Sequence, residues 1–198
     1  MTATISFPQT LEARPTAPPS PAGSWPSSPP LRLSLAPVGP QPSLLDGAWW
    51  PQSRDLSMEL PTLTAALDPL WGRITRVTVN PVHWPVVPHK VPVAGHVVKV
   101  GWYRDEQDPH ELMLLSYRAG RWNLLVIPPQ TPPDSAVWLM AAASDPLGTS
   151  TASRLMAEAA RRRTVAENDR AVEEAWASEG GHEARDPAAT TPQRPQRM

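Results

Sequence analysis

The chain has 198 residues, no cysteine, 18 basic and 19 acidic side chains, and a formal net charge of −1. Disulfide and thiolate chemistry are therefore closed to it, and the charge balance argues against a general nucleic-acid or membrane-surface binder. Proline is the outlier at 27 residues, far above the roughly 5% of an average protein.

The prolines crowd the ends and the connections. Residues 1–29 are Pro, Ser, Thr and Ala with almost no apolar periodicity, and residues 178–198 are similar. Neither end has the apolar area to offset its ordering entropy, so both are expected to be disordered tails. No basic stretch followed by an apolar run opens the chain, and no apolar run approaches the ~20 residues of a membrane helix. The expectation is a soluble cytoplasmic protein with one domain over 30–157, an exposed charged helix over 158–177, and no membrane contact.

Leu31 to Leu35 alternates with period two and predicts a half-buried strand. After a proline loop comes Asp46-Gly47-Ala48-Trp49-Trp50-Pro51. Neighbouring side chains of an extended segment point to opposite faces, so one tryptophan anchors a core and the other covers the second face. Burying one indole removes about 150–250 Å² from water, an upper bound of about 4–6 kcal/mol. Ser53 is the expected cap of a helix whose leucines 56, 60, 63 and 67 recur at helical spacing. Pro61 predicts a kink or a restart, and Asp68-Pro69 predicts the end.

Arg73 to Asn80 reads as a strand with Val77 and Val79 inward. The four prolines from Pro81 to Pro92 exclude a central strand and predict an extended connection or a sheet edge. Gly95 to Tyr103, Glu111 to Tyr117 and Arg121 to Ile127 are three further strands. The middle one is apolar on both faces and so central, and Arg118 to Gly120 is a tight turn. Thr131 is the expected cap of a helix reaching Ala143. A last helix starts near Ser150, loses its apolar face after Arg161-Arg162-Arg163, and ends near Trp176. The sum is an α+β domain: an antiparallel meander with helices packed on one face.

Leu45-Asp46-Gly47-Ala48-Trp49-Trp50-Pro51, followed by Arg73-Ile74-Thr75-Arg76-Val77, Val97 to Trp102 and Gln107-Asp108-Pro109-His110, resembles an uncharacterised family of high-GC bacteria, a domain of unknown function. The resemblance spans about residues 31–157, and the Trp-Trp-Pro stretch is its most specific motif. It implies no reaction, ligand or catalytic residue.

The chemistry in the sequence is sparse. His83, His89, His96 and His110 lack the spacing of paired metal ligands, so no metal or cofactor is assigned. No nucleophile elbow, metalloprotease helix or phosphate loop is present, so no catalytic residue is assigned. Acidic neighbours dilute the arginine run at 161–163, which reads as a solvated helix face. Trp50, Arg54, Asn80, Trp84 and His110 lie at strand ends and loops, where binding residues concentrate, and are the candidate lining of an aromatic ligand pocket. The leading reading is a non-catalytic binding or regulatory module that contacts a protein partner through residues 158–177. The rival is a small-ligand or enzyme domain using that pocket.

Overall fold

The computed structural model describes residues 30–37, 43–104, 107–117 and 120–179. The expected tails over 1–29 and beyond 179 lie outside the described residues. The fold is that of the unit beginning at Leu31. In chain order its elements are β1 (Leu33–Leu35), β2 (Gly47–Trp49), α1 (Leu56–Trp71), β3 (Ile74–Val79), β4 (Lys90–Val93), β5 (His96–Trp102), β6 (Glu111–Ser116), β7 (Arg121–Val126), α2 (Pro133–Ala143) and α3 (Ala152–Glu179). Among the described residues, no helix is long and apolar enough to cross a membrane.

The strands form one sheet in the order β1-β2-β7-β6-β3-β5-β4. It is α+β as expected, but the antiparallel meander is corrected to a mixed sheet. β2 runs parallel to β7 and β3 parallel to β5, while the other neighbours are antiparallel. β5 and β6 are consecutive in the chain yet not adjacent, because β3 lies between them. The connection over 103–110 exceeds a tight hairpin loop and has the reach to pass β3. The β6–β7 hairpin and the central place of β6 agree with the sequence reading. β4 is the outermost strand, where the missing N–H of Pro92 removes no interior ladder bond.

The helices are not confined to one face, a second correction. Leu56, Leu60, Leu63 and Leu67 of α1 pack with Trp49, Val77, Val98, Leu114 and Leu124 in a first core. Ala136 and Leu139 of α2 and Leu155 of α3 pack with Ala48, Leu125 and Ile127 in a second. Adjacent residues such as Leu124 and Leu125 fall into different cores, which places α1 on one face and the α2–α3 pair on the other. The two buried runs in β2 and β7 are apolar throughout because both of their faces are covered.

Local chemistry refines the expected boundaries. Asp55, not Ser53, caps α1: its carboxylate accepts from Ser57 N at 2.9 Å. Ser53 instead donates its backbone N–H and hydroxyl to the Glu59 carboxylate, both at 2.8 Å. The helix runs through Pro61 and Pro69 and stops at Gly72, whose φ of 79 suits a residue without Cβ. α2 starts at Pro133 with Pro132 in the cap position and no side-chain cap, so Thr131 lies one residue too early. A register shift between Ile74 and Arg76 lets Ile74 join Val77 and Val79 in the first core although the spacing of strict alternation forbids it.

Candidate functional site

The five candidate pocket residues divide between a loop cluster and the two cores. Asn80, only 3% exposed, directly follows β3. Its Oδ1 accepts from Val82 N and its Nδ2 donates to Arg104 O, both at 3.1 Å. Arg54 donates Nε to His83 O at 2.8 Å and Nη2 to Val82 O at 2.9 Å. Asn80 and Arg54 therefore fix the same turn, 81–84, from two sides. Trp84 closes that turn into the first core, stacked on Trp49 with ring centroids 5.7 Å apart. Trp50 makes its contacts on the second face: the Arg32 guanidinium sits 3.6 Å over its ring and its indole N–H reaches Pro129 O. Arg32 also donates to the Trp50 and Pro51 carbonyls.

His110 meets the fixed turn through a residue that the sequence reading left out of the site. Its ring lies 4.4 Å from that of His83. His83 Nε2 and His110 Nδ1 are both buried without a hydrogen-bond partner. Burial, then the neighbouring His110 and Arg54, push the His83 pKa down to about 4, against the pull of Asp108 and the Pro109 carbonyl. Burial lowers His110 as well, with Asp108 opposing. Both rings are neutral at neutral pH, and each gives its one N–H to a backbone carbonyl, His83 to Pro109 and His110 to Val126, so the two unpartnered nitrogens are acceptors.

Asp108, also outside the expected pocket, sets the third side. Its carboxylate accepts from His110 N at 2.9 Å, Ser153 Oγ at 2.7 Å and Ser153 N at 2.9 Å. Burial raises its pKa, but the hydrogen bonds from Ser153 and His110 outweigh this and hold the carboxyl below the usual range. The same bonds cap the first turn of α3, where a negative charge also suits the helix dipole. Nothing in the sequence links His83, Asp108 and Ser153, which only the tertiary fold brings together. Among the described residues, no group of three or more His, Asp or Glu is arranged to hold a metal ion. Through these two ring nitrogens the cluster can accept hydrogen bonds from a polar group.

A second surface is α3 itself. After Ala159, every residue from 160 to 178 is exposed. Glu158 binds Arg161 and Arg162, Arg163 pairs with Glu167, and the Arg162 guanidinium lies 4.6 Å over the Trp138 ring of α2. Beyond these contacts Val165, Val172 and Trp176 stand in solvent, Trp176 at 75% exposure.

No curated protein and no solved structure matches the chain. A family of unknown function does match, over residues 32–143, which run from β1 through α2 and include the histidine cluster but not α3. The chain thus belongs to the family of unknown function DUF5994.

Proposed function

We propose that the protein is a non-catalytic binding module of the cytoplasm that associates through the exposed part of α3, with a second copy of the chain as its partner. The observation that carries this is the unbroken exposure of residues 160–178 on a helix whose first turns are firmly capped and packed. At 1.5 Å per residue the exposed part is roughly 28 Å long. An isolated polar helix gains little from its own exposed ion pairs.

Helical spacing selects the partner. At about 3.6 residues per turn, Arg161, Val165, Val172 and Trp176 share one face of α3. Two copies laid antiparallel about Asn168-Asp169 set Val165 against Val172. The same register sets Trp176 against Arg161, a cation–π pairing. The contact is self-complementary, as a two-fold interface requires.

Sedimentation of the full chain tests this. Wild type is expected to reach a dimer as concentration rises, Val172→Asp and Trp176→Ala are each expected to stay monomeric, and Arg163→Glu, on the opposite side of the helix, is expected to dimerise as wild type does. A wild type that remains monomeric at all soluble concentrations, or a Val172→Asp variant that dimerises as wild type does, overturns the proposal.

The histidine cluster supports a second reading, a small-ligand or enzymatic role. Its basis is the pair of buried, unpartnered nitrogens on His83 and His110, beside Arg54 and Asn80.

A further inference from the structure

α2 and α3 cover only part of the second sheet face, the part made by β1, β2 and β7. Across β4, β5 and β3 that face is open, and cations line it. Lys90 is directly paired with Lys99, and Lys99 with Arg76. Residues in register across neighbouring strands project to one face. It is the face away from α1, because the alternate residues Val77, Val98 and Val100 are buried in the first core. Lys90 and Lys99 are the chain's two lysines, and all three cations are exposed. None forms an ion pair among the described residues. Like charges placed directly opposite one another destabilise a sheet, and this row does so twice in a chain of net charge −1.

The row borders a groove of about 360 Å³, within the range of small-ligand sites. Its floor is low at Gly101, where an added Cβ would meet nothing closer than Thr78 Oγ1 at 4.0 Å. A glycine inside a strand marks a bulge, a tight bend or a close approach to the backbone by a ligand or another segment, and the open space at Gly101 suits the last of these. Along one side stands Tyr103, two residues on from Gly101 and so on the same face, 51% exposed. The His89 and Trp102 rings, 5.2 Å apart, belong by the same alternation to the α1 side with Val100. A flat ring next to three cations that form no ion pair among the described residues complements a ligand with a flat ring at one end and several negative charges at the other.

We infer that this groove binds a nucleoside polyphosphate, its phosphates on Lys90, Lys99 and Arg76 and its base against Tyr103. Neighbouring strands are about 4.8 Å apart, so the three cations span roughly 10 Å of backbone, which long side chains close onto a di- or triphosphate. No lining residue belongs to α2 or α3, so the inference is independent of the helix contact proposed above.

Calorimetry of the full chain with adenosine triphosphate, inorganic tripolyphosphate, adenosine and an oligothymidine tests it. The triphosphate nucleotide is expected to bind tightest, with tripolyphosphate and adenosine each at least about tenfold weaker, one lacking the ring and the other the charge. Lys99→Gln is expected to weaken the nucleotide about tenfold while raising the melting temperature of the free protein, since it relieves the like-charge row. Gly101→Val is expected to abolish binding without unfolding, and Arg154→Gln on α3 to leave it unchanged. Equal binding by wild type and Lys99→Gln, binding of tripolyphosphate as tight as the nucleotide, or capture of the oligothymidine alone overturns the proposal.

Discussion

Each residue of Asp46-Gly47-Ala48-Trp49-Trp50 has a separate physical task. Asp46 accepts from Asn123 N at 2.7 Å and so joins β2 to β7, Ala48 faces the second core, Trp49 the first, and Trp50 lies beneath Arg32. Gly47 is the least replaceable. Its φ is 149, and a Cβ there would stand 2.2 Å from Ser34 O and 2.9 Å from Leu35 Cα. Gly47→Ala is expected to displace β1 and cost about 2–4 kcal/mol, read as a lower urea midpoint. An unchanged midpoint would mean that β1 yields freely. The division of the two tryptophans between faces was legible because alternation is local. The His83–His110 contact was not, because 27 positions separate residues whose meeting depends on where β6 lies.

At the scale of elements, the helix starts show what a sequence signal decides. Ser53, Asp55 and Thr131 are all good capping types, and Asp55 wins at α1 because its backbone is extended there and its carboxylate reaches Ser57 N. α3 is capped by Asp108, 45 positions away from Ser153, which no local pattern reveals. Asp108→Ala is expected to remove about 1–3 kcal/mol, a charge-assisted cap plus a hydroxyl bond. Asp108→Asn, which keeps an acceptor, should cost less. Hydrogen exchange over 152–156 checks this: the amides there should exchange faster in the alanine variant, and protection equal to wild type would show that packing alone holds the first turn.

For the whole molecule, acid stability carries the signature of the buried pair. His83 titrates near 4 when folded, against an ordinary 6.5, so on acidification the unfolded chain takes up the proton first. The stability this contributes is complete above about pH 6.5 and is lost as pH falls towards 4, on the order of 1–3 kcal/mol after allowance for solvent screening. Asp108 acts lower, because its depressed carboxyl surrenders stability only as pH falls below the usual carboxylate range. Asp46 and Glu111, raised chiefly by burial, work in the opposite sense. The difference between wild type and His83→Gln isolates the histidine: urea midpoints between about pH 6.5 and 4.5 should fall more steeply for wild type. Parallel profiles would place His83 in water.

The sequence patterns located most strands and all three helices, and excluded a central strand over 81–92, where β4 turns out to begin at a sheet edge, since alternation, leucine spacing and proline placement act over a few residues. Strand order was beyond them. Alternation assigns a side chain to a face, whereas the neighbour of a strand is chosen by contacts between distant segments. The bare half of the second face, with its row of cations, follows from that order and was missed with it.

The insertion of β3 between β5 and β6 also bears on how the chain is made. Synthesis proceeds from the N-terminus, so β3 emerges with its apolar residues well before β6, its partner on one side, exists. Until then one edge of an interior strand is open, with Ile74, Val77 and Val79 above it. Pairing between segments so far apart closes slowly, and an unsatisfied strand edge is a template for pairing with other chains. The nascent protein is thus most prone to aggregate in the interval between the appearance of β5 and that of β6.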